Sequence, residues 1–159
     1  MTMARRCLIL TVPGSAANAF EVFHNHEKRL LWDTLISSAH IEGGGTHPYI
    51  GAIAANRGRG WMRSLRMRTQ FVNYRPSEIA AAASVCPSGL IEFWAASMRH
   101  RDIAAGQSEL IYTFNIKLRP FLRIFDPLAA WIFEHESRRR FAAMADYLRG
   151  IYVGEIASK

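Results

Sequence analysis

The sequence predicts an α+β fold in which a curved antiparallel sheet of about six to seven strands wraps around one long C-terminal helix. Short segments of alternating apolar and polar residues follow one another through the middle of the chain, as in Leu110–Leu118, and a period of two is typical of strands with one buried face. A helical segment then runs from about Asp126 to Leu148, and at about 1.5 Å per residue it is roughly 35 Å long. A helix of that length after a run of strands is expected to cross the sheet and to cover an apolar cavity.

Length and composition favour a single domain that covers residues 1–159. Half of the residues are hydrophobic and 21% are charged, a balance that supports a buried core and argues against disorder. The apolar run Cys7–Val12 is shorter than a signal-peptide core, and Pro13-Gly14 interrupts it. No run approaches the roughly 20 apolar residues of a transmembrane helix, so we expect a cytoplasmic protein without a transmembrane segment.

The first part of the chain is predicted to form one strand and two short helices. Residues Arg5–Val12 alternate as a strand, and Pro13-Gly14 turns the chain. Ser15 is a suitable N-cap for a helix over Ala16–His24. The apolar residues of Glu27–Leu35 indicate a second helix.

Further strands are predicted between these helices and the C-terminal one. Residues 61–73 alternate most clearly, with Arg66, Arg68 and Gln70 on a wet face opposite a dry one. The connections between successive strands are short, which favours an antiparallel meander. The expected strand bounds are Ser37–Glu42, His47–Asn56, 61–73, 77–86, 89–101 and 107–118.

The C-terminal helix has sequence signals at both ends. Asp126 is a suitable cap, Pro127 suits the first turn, and Gly150 stands where a C-cap glycine is expected. One face of the helix carries an apolar stripe, and Arg138–Arg140 are expected to face solvent at least in part. The stripe consists of Phe133, Ser137, Phe141, Met144 and Leu148.

The order of elements and three segments, Ala16–Phe23, Leu31–Asp33 and Glu136–Met144, resemble the START-like superfamily, also called Bet v 1-like or helix-grip. Within it, the polyketide cyclase/dehydrase-related (SRPBCC) group is the most similar. The resemblance covers essentially the whole chain and implies binding of a small hydrophobic molecule, such as a lipid, polyketide, quinone or aromatic metabolite, between sheet and C-terminal helix. It also implies an alternative, a cyclase or dehydratase that acts in the same cavity. The superfamily shares no universal catalytic residue, so the resemblance assigns none here.

The candidate ligand-binding residues are those expected to face the cavity. A regular hairpin at Asp102–Gly106 places Trp94 on the face of Tyr112, whereas a slip of one residue places Phe93 there instead. Aromatic and methionine side chains suit bulky apolar ligands, although each of them can equally fill the core. The set is Trp32, Leu65, Met67, Phe71, Trp94, Met98, Tyr112, Phe114, Trp131 and His135.

Three ionisable residues are the candidates for catalysis in such a cavity: Glu92, Tyr112 and His135. Glu92 shares the strand face of Trp94 in the regular register, and the imidazole of His135 can serve as a general acid or base. Alternatively, Glu92 is a rim carboxylate paired with an arginine, and His135 is a solvated helix residue. An enzyme needs at least two such groups to converge on one space.

No metal and no cofactor are expected. The histidines of His24–Glu27 and of Glu134–Glu136 lack the i,i+4 spacing of a helical zinc site. The chain has neither a phosphate-binding glycine loop nor a dinucleotide-binding motif. The two cysteines, Cys7 and Cys86, lie in apolar segments and are expected to be buried thiols.

Basic charge adds a third class of function. The net charge is +7, and the basic residues are almost all arginines. Arg66 and Arg68 are expected on a solvated sheet face, and a patch formed with Arg63 would suit binding to nucleic acid or to the ribosome. The expected partner is nevertheless a small hydrophobic molecule, with access near Phe23–Trp32 and the Gly43–Pro48 loop.

Overall fold

The computed structural model describes residues 3–159 and shows, within them, one antiparallel sheet of seven strands in the order β1-β7-β6-β5-β4-β3-β2. The first strand pairs with the last, and each strand from β2 to β6 pairs with the strand that follows it in sequence. The strands are β1 (Ala4–Pro13), β2 (Ile36–Ile41), β3 (Ile53–Gly58), β4 (Arg66–Arg75), β5 (Ile79–Ser84), β6 (Ile91–Ala104) and β7 (Gln107–Leu118).

One long helix and two short ones complete the architecture. The long helix α3 (Asp126–Ala157) packs against β1 and β7, while α1 (Ala16–His24) and α2 (His26–Arg29) lie between β1 and β2 in the chain. Short 3₁₀ helices at Gly60–Met62 and Pro120–Phe125 precede β4 and α3. The predicted α+β fold, a curled antiparallel sheet with a long C-terminal helix, is confirmed.

The predicted apolar stripe of α3 forms the centre of the main core. All of its residues are buried, and they pack with side chains of β1 and β7. A second cluster joins Phe20 of α1 to Phe71 and Ala80 on β4 and β5. Helix α1 has the predicted cap, because the Ser15 hydroxyl accepts a hydrogen bond from the backbone N–H of Asn18 at 3.1 Å.

The two cysteines are exposed, which corrects the expectation of buried thiols. Cys7 lies on the outer face of β1, next to the buried Leu8, and Cys86 lies in the connection that follows β5. Both faces of β1 carry apolar residues, so hydrophobicity in the sequence did not distinguish the inner face from the outer one.

The C-terminal helix is longer than predicted. It continues through Gly150, which is therefore not a C-cap, and ends at Ala157. The residues beyond Leu148 are exposed, so no buried periodicity marked them as helical. Asp126 lies in the first turn rather than at the cap, and its carboxylate accepts a hydrogen bond from the backbone N–H of Leu118 at 2.8 Å. This contact ties the start of α3 to the end of β7.

Two boundaries in the first part of the chain differ from the predicted ones. The second helix stops at Arg29 rather than Leu35, because the Asp33 carboxylate accepts from the backbone N–H of Leu35 at 2.8 Å and holds this segment in a turn. Strand β3 begins at Ile53 rather than at His47.

A 3₁₀ helix at Gly60–Met62 replaces the start of the strand predicted over 61–73, so β4 begins at Arg66. This turn approaches β3 closely. A Cβ atom on Gly58 would lie 2.1 Å from the carbonyl oxygen of Met62, so only glycine fits at this position.

Candidate functional site

The hairpin of β6 and β7 determines which side chains face the interior. Trp94 lies opposite Ile116, and Met98 lies opposite Tyr112, so both have the predicted cross-strand position, although a β-bulge at Ile103 makes the hairpin itself irregular. A β-bulge at Glu92 interrupts the pairing. Because a bulge adds one residue to one strand, Glu92 does not share the face of Trp94 as expected.

An apolar cleft opens at one end of the sheet, beside the start of α3. Its volume is about 380 Å³. Its walls come from the 3₁₀ turn after β3, the connection before β6 and the first turns of α3, which are distant in sequence. The lining includes Trp61, Leu65, Leu90, Ile91, Leu128 and Phe133.

Two smaller spaces lie deeper in the protein, with volumes of about 60 Å³ for the outer lobe and about 70 Å³ for the inner lobe. The outer lobe shares Met62, Leu65 and Phe133 with the cleft. It shares other wall residues with the inner lobe, so the outer lobe is adjacent both to the cleft and to the inner lobe. The wall residues common to both lobes are Arg29, Asn56, Thr69, Trp94 and Arg140.

A buried charge cluster of Arg29, Asp33 and Arg140 lies beside the two lobes. Asp33 Oδ2 accepts a hydrogen bond from Arg29 Nε at 2.9 Å and another from the guanidinium of Arg140. Asp33 is completely buried, and the side chain of Arg140 is 3% exposed. Two arginines and one aspartate leave this cluster with one excess positive charge.

The charges in the cluster stabilise one another against burial. Burial by itself would raise the pKa of Asp33, but Arg140 and Arg29 hold it below its usual value. Burial lowers the pKa of Arg29 to about 10, so this guanidinium stays protonated at neutral pH. The ring of Phe23 lies 4.5 Å from the guanidinium carbon of Arg29 and 5.1 Å from that of Arg140, which is a cation–π distance.

Four polar side-chain atoms on the lobe walls are buried and have no hydrogen-bond partner within residues 3–159. Nearly all buried polar atoms in proteins are hydrogen-bonded, so these atoms suit a ligand that carries polar atoms of its own. They are Arg140 Nε, Trp94 Nε1, His26 Nδ1 and Asn56 Oδ1.

The structure divides the predicted lining residues into three groups. Phe114 and Trp32 are buried in the main core and line neither lobe. Trp131 and His135 lie on the exposed side of α3, where their rings stack 6.1 Å apart. Each is two residues from the buried Phe133, about 200° around the helix axis, and therefore points away from the cavity. The residues that line the lobes are Leu65, Met67, Phe71, Trp94, Met98 and Tyr112.

The three candidate catalytic residues do not converge. Glu92 accepts hydrogen bonds from Arg123 at 3.0 Å and from Lys117 at 3.5 Å, and the bond from Arg123 lowers its pKa. His135 faces solvent, and Tyr112 faces the inner lobe. The arrangement therefore does not favour an enzyme built on these three groups.

Sequence reasoning missed the charge cluster. Arg140 was expected to face solvent at least in part, but it is buried, three residues after Ser137 and four before Met144. This spacing continues the apolar stripe and was the one signal that could have identified it. Its partner Asp33 is 107 positions away, and a pairing over that distance leaves no local pattern.

Three histidines are buried around α1. His24 Nδ1 lies 3.0 Å from the carbonyl oxygen of Phe20, and burial lowers the pKa values of His24, His26 and His100. Within the described residues, no group of three or more His, Cys, Asp or Glu side chains is arranged to hold a metal ion. No helix in this part of the chain is long and apolar enough to cross a membrane.

The arginines of β4 lie on the outer face of the sheet, as the alternation predicted. Arg66 is opposite Arg57 on β3. Arg68 donates two hydrogen bonds to the Glu42 carboxylate, at 2.6 and 2.8 Å. This carboxylate offsets part of the positive charge of the face.

Comparison with known proteins identifies the fold through structure and not through sequence. No family profile matches the sequence, and no curated protein matches it. Similar solved structures include the protein XoxI from Bacillus cereus (TM-score 0.74, 10% identity, 94% of this chain and 99% of that chain). Also similar is a START superfamily protein from Mycobacterium smegmatis, with a TM-score of 0.71, 11% identity and coverage of 91% of this chain and 98% of that chain. The Zhui aromatase/cyclase from a Streptomyces species has a TM-score of 0.70, 13% identity and coverage of 94% of this chain and 93% of that chain. The chain has the START-like, helix-grip fold.

Proposed function

We propose that the protein binds a small hydrophobic molecule in the cleft and the two lobes between the sheet and α3. The observation that carries this proposal is the apolar cleft of about 380 Å³, which adjoins the outer lobe at Met62, Leu65 and Phe133. Its volume is in the range of small-molecule sites. Lipids, polyketides, quinones and aromatic metabolites have the apolar surface that such walls bury.

The cleft also provides the route of access. Access was expected near Phe23–Trp32 and the Gly43–Pro48 loop, whereas the cleft opens beside Trp61, Leu90 and Leu128. These three side chains are exposed, and exposed apolar groups around an opening are typical of a ligand-binding surface.

Burial of apolar ligand surface supplies most of the expected affinity. At about 25 cal/mol per Å², roughly 300 Å² of buried ligand surface contributes about 7 kcal/mol before the costs of association. Those costs offset several kcal/mol, so burial of this apolar surface alone is expected to give dissociation constants of about a millimolar.

Binding is favoured over catalysis in this proposal. Proteins named as a START superfamily member and as an aromatase/cyclase share the fold, but Glu92, Tyr112 and His135 do not face one space here. The exposed, unpaired thiols of Cys7 and Cys86 suit a reducing compartment, so we place the protein in the cytoplasm.

Filling the cleft tests the proposal. Ala129→Trp adds a large side chain to the cleft wall, and Ala142→Trp adds the same side chain to the exposed side of α3. Nile red, a neutral dye that fluoresces in apolar surroundings, is titrated into each protein. We expect Ala142→Trp to bind like the wild type and Ala129→Trp to bind at least about tenfold more weakly, a loss of about 1.4 kcal/mol. Equal binding by Ala129→Trp, or no binding by the wild type, contradicts the proposed site.

A further inference from the structure

We infer that the ligand is an amphiphile with a single carboxylate, which Arg29 and Arg140 bind at the lobes while its apolar part fills the cleft. This inference rests on the proposed function and names the ligand class of the same site. Three independent features support it: the charge balance of the cluster, the unpartnered donors beside it, and the apolar cleft that leads to them.

The charge on the lobe walls favours a ligand with a single negative charge. Asp33 balances one of the two arginines, and no carboxylate lines either lobe within residues 3–159. Arg57 also lines the outer lobe, but it is exposed and its Nε donates a hydrogen bond to the carbonyl oxygen of Arg63 at 3.0 Å, so solvent stabilises its charge. The remaining titratable groups on the walls are neutral at pH 7, because burial raises the pKa of Tyr112 to about 12 and lowers the pKa values of His24 and His26. An unbalanced buried charge is unfavourable. One carboxylate balances it, whereas a dianion would leave an excess negative charge.

Donors for a carboxylate lie where the two lobes meet. Arg140 Nε and Trp94 Nε1 are buried and unpartnered in the described chain, and both residues line both lobes. Each guanidinium has more N–H donors than its bond to Asp33 uses, and its planar fork matches the two oxygens of a carboxylate. The Phe23 ring contacts both guanidinium groups and helps to fix their positions.

The apolar part of the ligand has one direction in which to extend. The lobes are small, at about 60 and 70 Å³, and accommodate a head group. The much larger cleft is adjacent to the outer lobe, and Leu65 and Phe133 line both spaces. Fatty acids and aromatic carboxylic acids have this form, with a compact anionic head and an apolar body.

Ligands that differ only in the head group test the inference on the wild-type protein. Dodecanoic acid, dodecanol and dodecylamine, and the pair naphthylacetic acid and naphthylethanol, are used to displace bound Nile red at neutral pH. We expect each acid to bind at least about tenfold more tightly than its alcohol, and the amine to bind most weakly. Equal affinity of acid and alcohol, or dye that none of them displaces, overturns the inference and leaves the proposed function intact. Failure of the dye itself to bind contradicts both.

Arg140→Met tests the contribution of the charge cluster, with Arg139→Met as its matched control. Both changes remove one positive charge from neighbouring positions of α3, but the side chain of Arg139 is 62% exposed. We expect Arg140→Met to reduce the preference for acid over alcohol to about twofold or less, and Arg139→Met to retain the full preference. An unchanged preference in folded Arg140→Met overturns the assignment.

A second measurement needs no variant. The carboxyl carbon of ¹³C-labelled dodecanoic acid reports its ionisation by NMR when it is bound to the wild-type protein. Because a guanidinium stabilises the ionised form, we expect the bound acid to titrate at least about one pH unit below the free acid. Titration at or above the value of the free acid overturns the inference.

Discussion

Replacing Asp33 by asparagine should greatly destabilise the protein. Within residues 3–159, Asp33 is the one carboxylate that contacts the buried guanidinium groups of Arg29 and Arg140. Asparagine has nearly the same size and can still accept from the backbone N–H of Leu35, so the substitution removes charge with little change in packing. Breaking a buried ion pair by removing one partner costs about 3–5 kcal/mol. Because two guanidinium groups lose their counter-charge here, we expect a loss in the upper part of that range.

Asp146→Asn is the matched control for this prediction. The side chain of Asp146 is 75% exposed and pairs with Arg149 on the surface of α3, where such a pair contributes about 0–1 kcal/mol. Urea unfolding at neutral pH, followed by far-UV circular dichroism, gives the free energy of unfolding for each protein. We expect Asp33→Asn to lower it by several times as much as Asp146→Asn. Equal, small losses would refute the reasoning that the buried cluster depends on its carboxylate.

Three further predictions concern the pH dependence of stability, the close contact between Gly58 and the backbone of Met62, and the exposed helical residue Gly150. Burial lowers the pKa values of His26 and His100 from 6.5 to about 4, so both side chains are neutral in the folded protein at pH 7. Their contribution to the free energy of unfolding is complete above about pH 6.5. It should be lost as the pH falls towards 4, by roughly 3 kcal/mol for each histidine. Urea midpoints measured across this range check the loss, and a constant midpoint contradicts it. Gly58→Ala should lower the free energy of unfolding by about 1–3 kcal/mol, because the Cβ of the new alanine would lie 2.1 Å from the carbonyl oxygen of Met62. Gly150→Ala, in an open helical position, should stabilise by about 0.5–1 kcal/mol; thermal unfolding that ranks these two variants in the opposite order refutes both predictions.

Elements with their own local signals were predicted well. Strand β7 and helix α1 begin and end where predicted, because each has a clear periodicity and a turn or cap beside it. The bulge at Glu92 and the 3₁₀ helix at Gly60–Met62 were not predicted. Glu92 contacts Arg123, and the 3₁₀ helix lies against Gly58, and the residues within each segment do not reveal these contacts.

The candidate site was predicted only in part, for a related reason. Side chains such as Met98 and Tyr112 follow from strand alternation, which places them on the inner face. The cluster of Arg29, Asp33 and Arg140 joins α2, the turn after it and α3. Charged residues are mostly exposed in proteins, so a reading of the sequence assigns a buried arginine to the surface. Exceptions of this kind are expected at functional sites.

Native mass spectrometry of the freshly purified wild-type protein, titrated with dodecanoic acid, tests the central claim most directly. The account predicts one bound molecule of a few hundred daltons per chain, retained under native conditions and released on denaturation, and its loss in Ala129→Trp but not in Ala142→Trp. Identical native and denatured masses throughout the titration, together with no binding of Nile red, would contradict a ligand-binding cavity beneath α3.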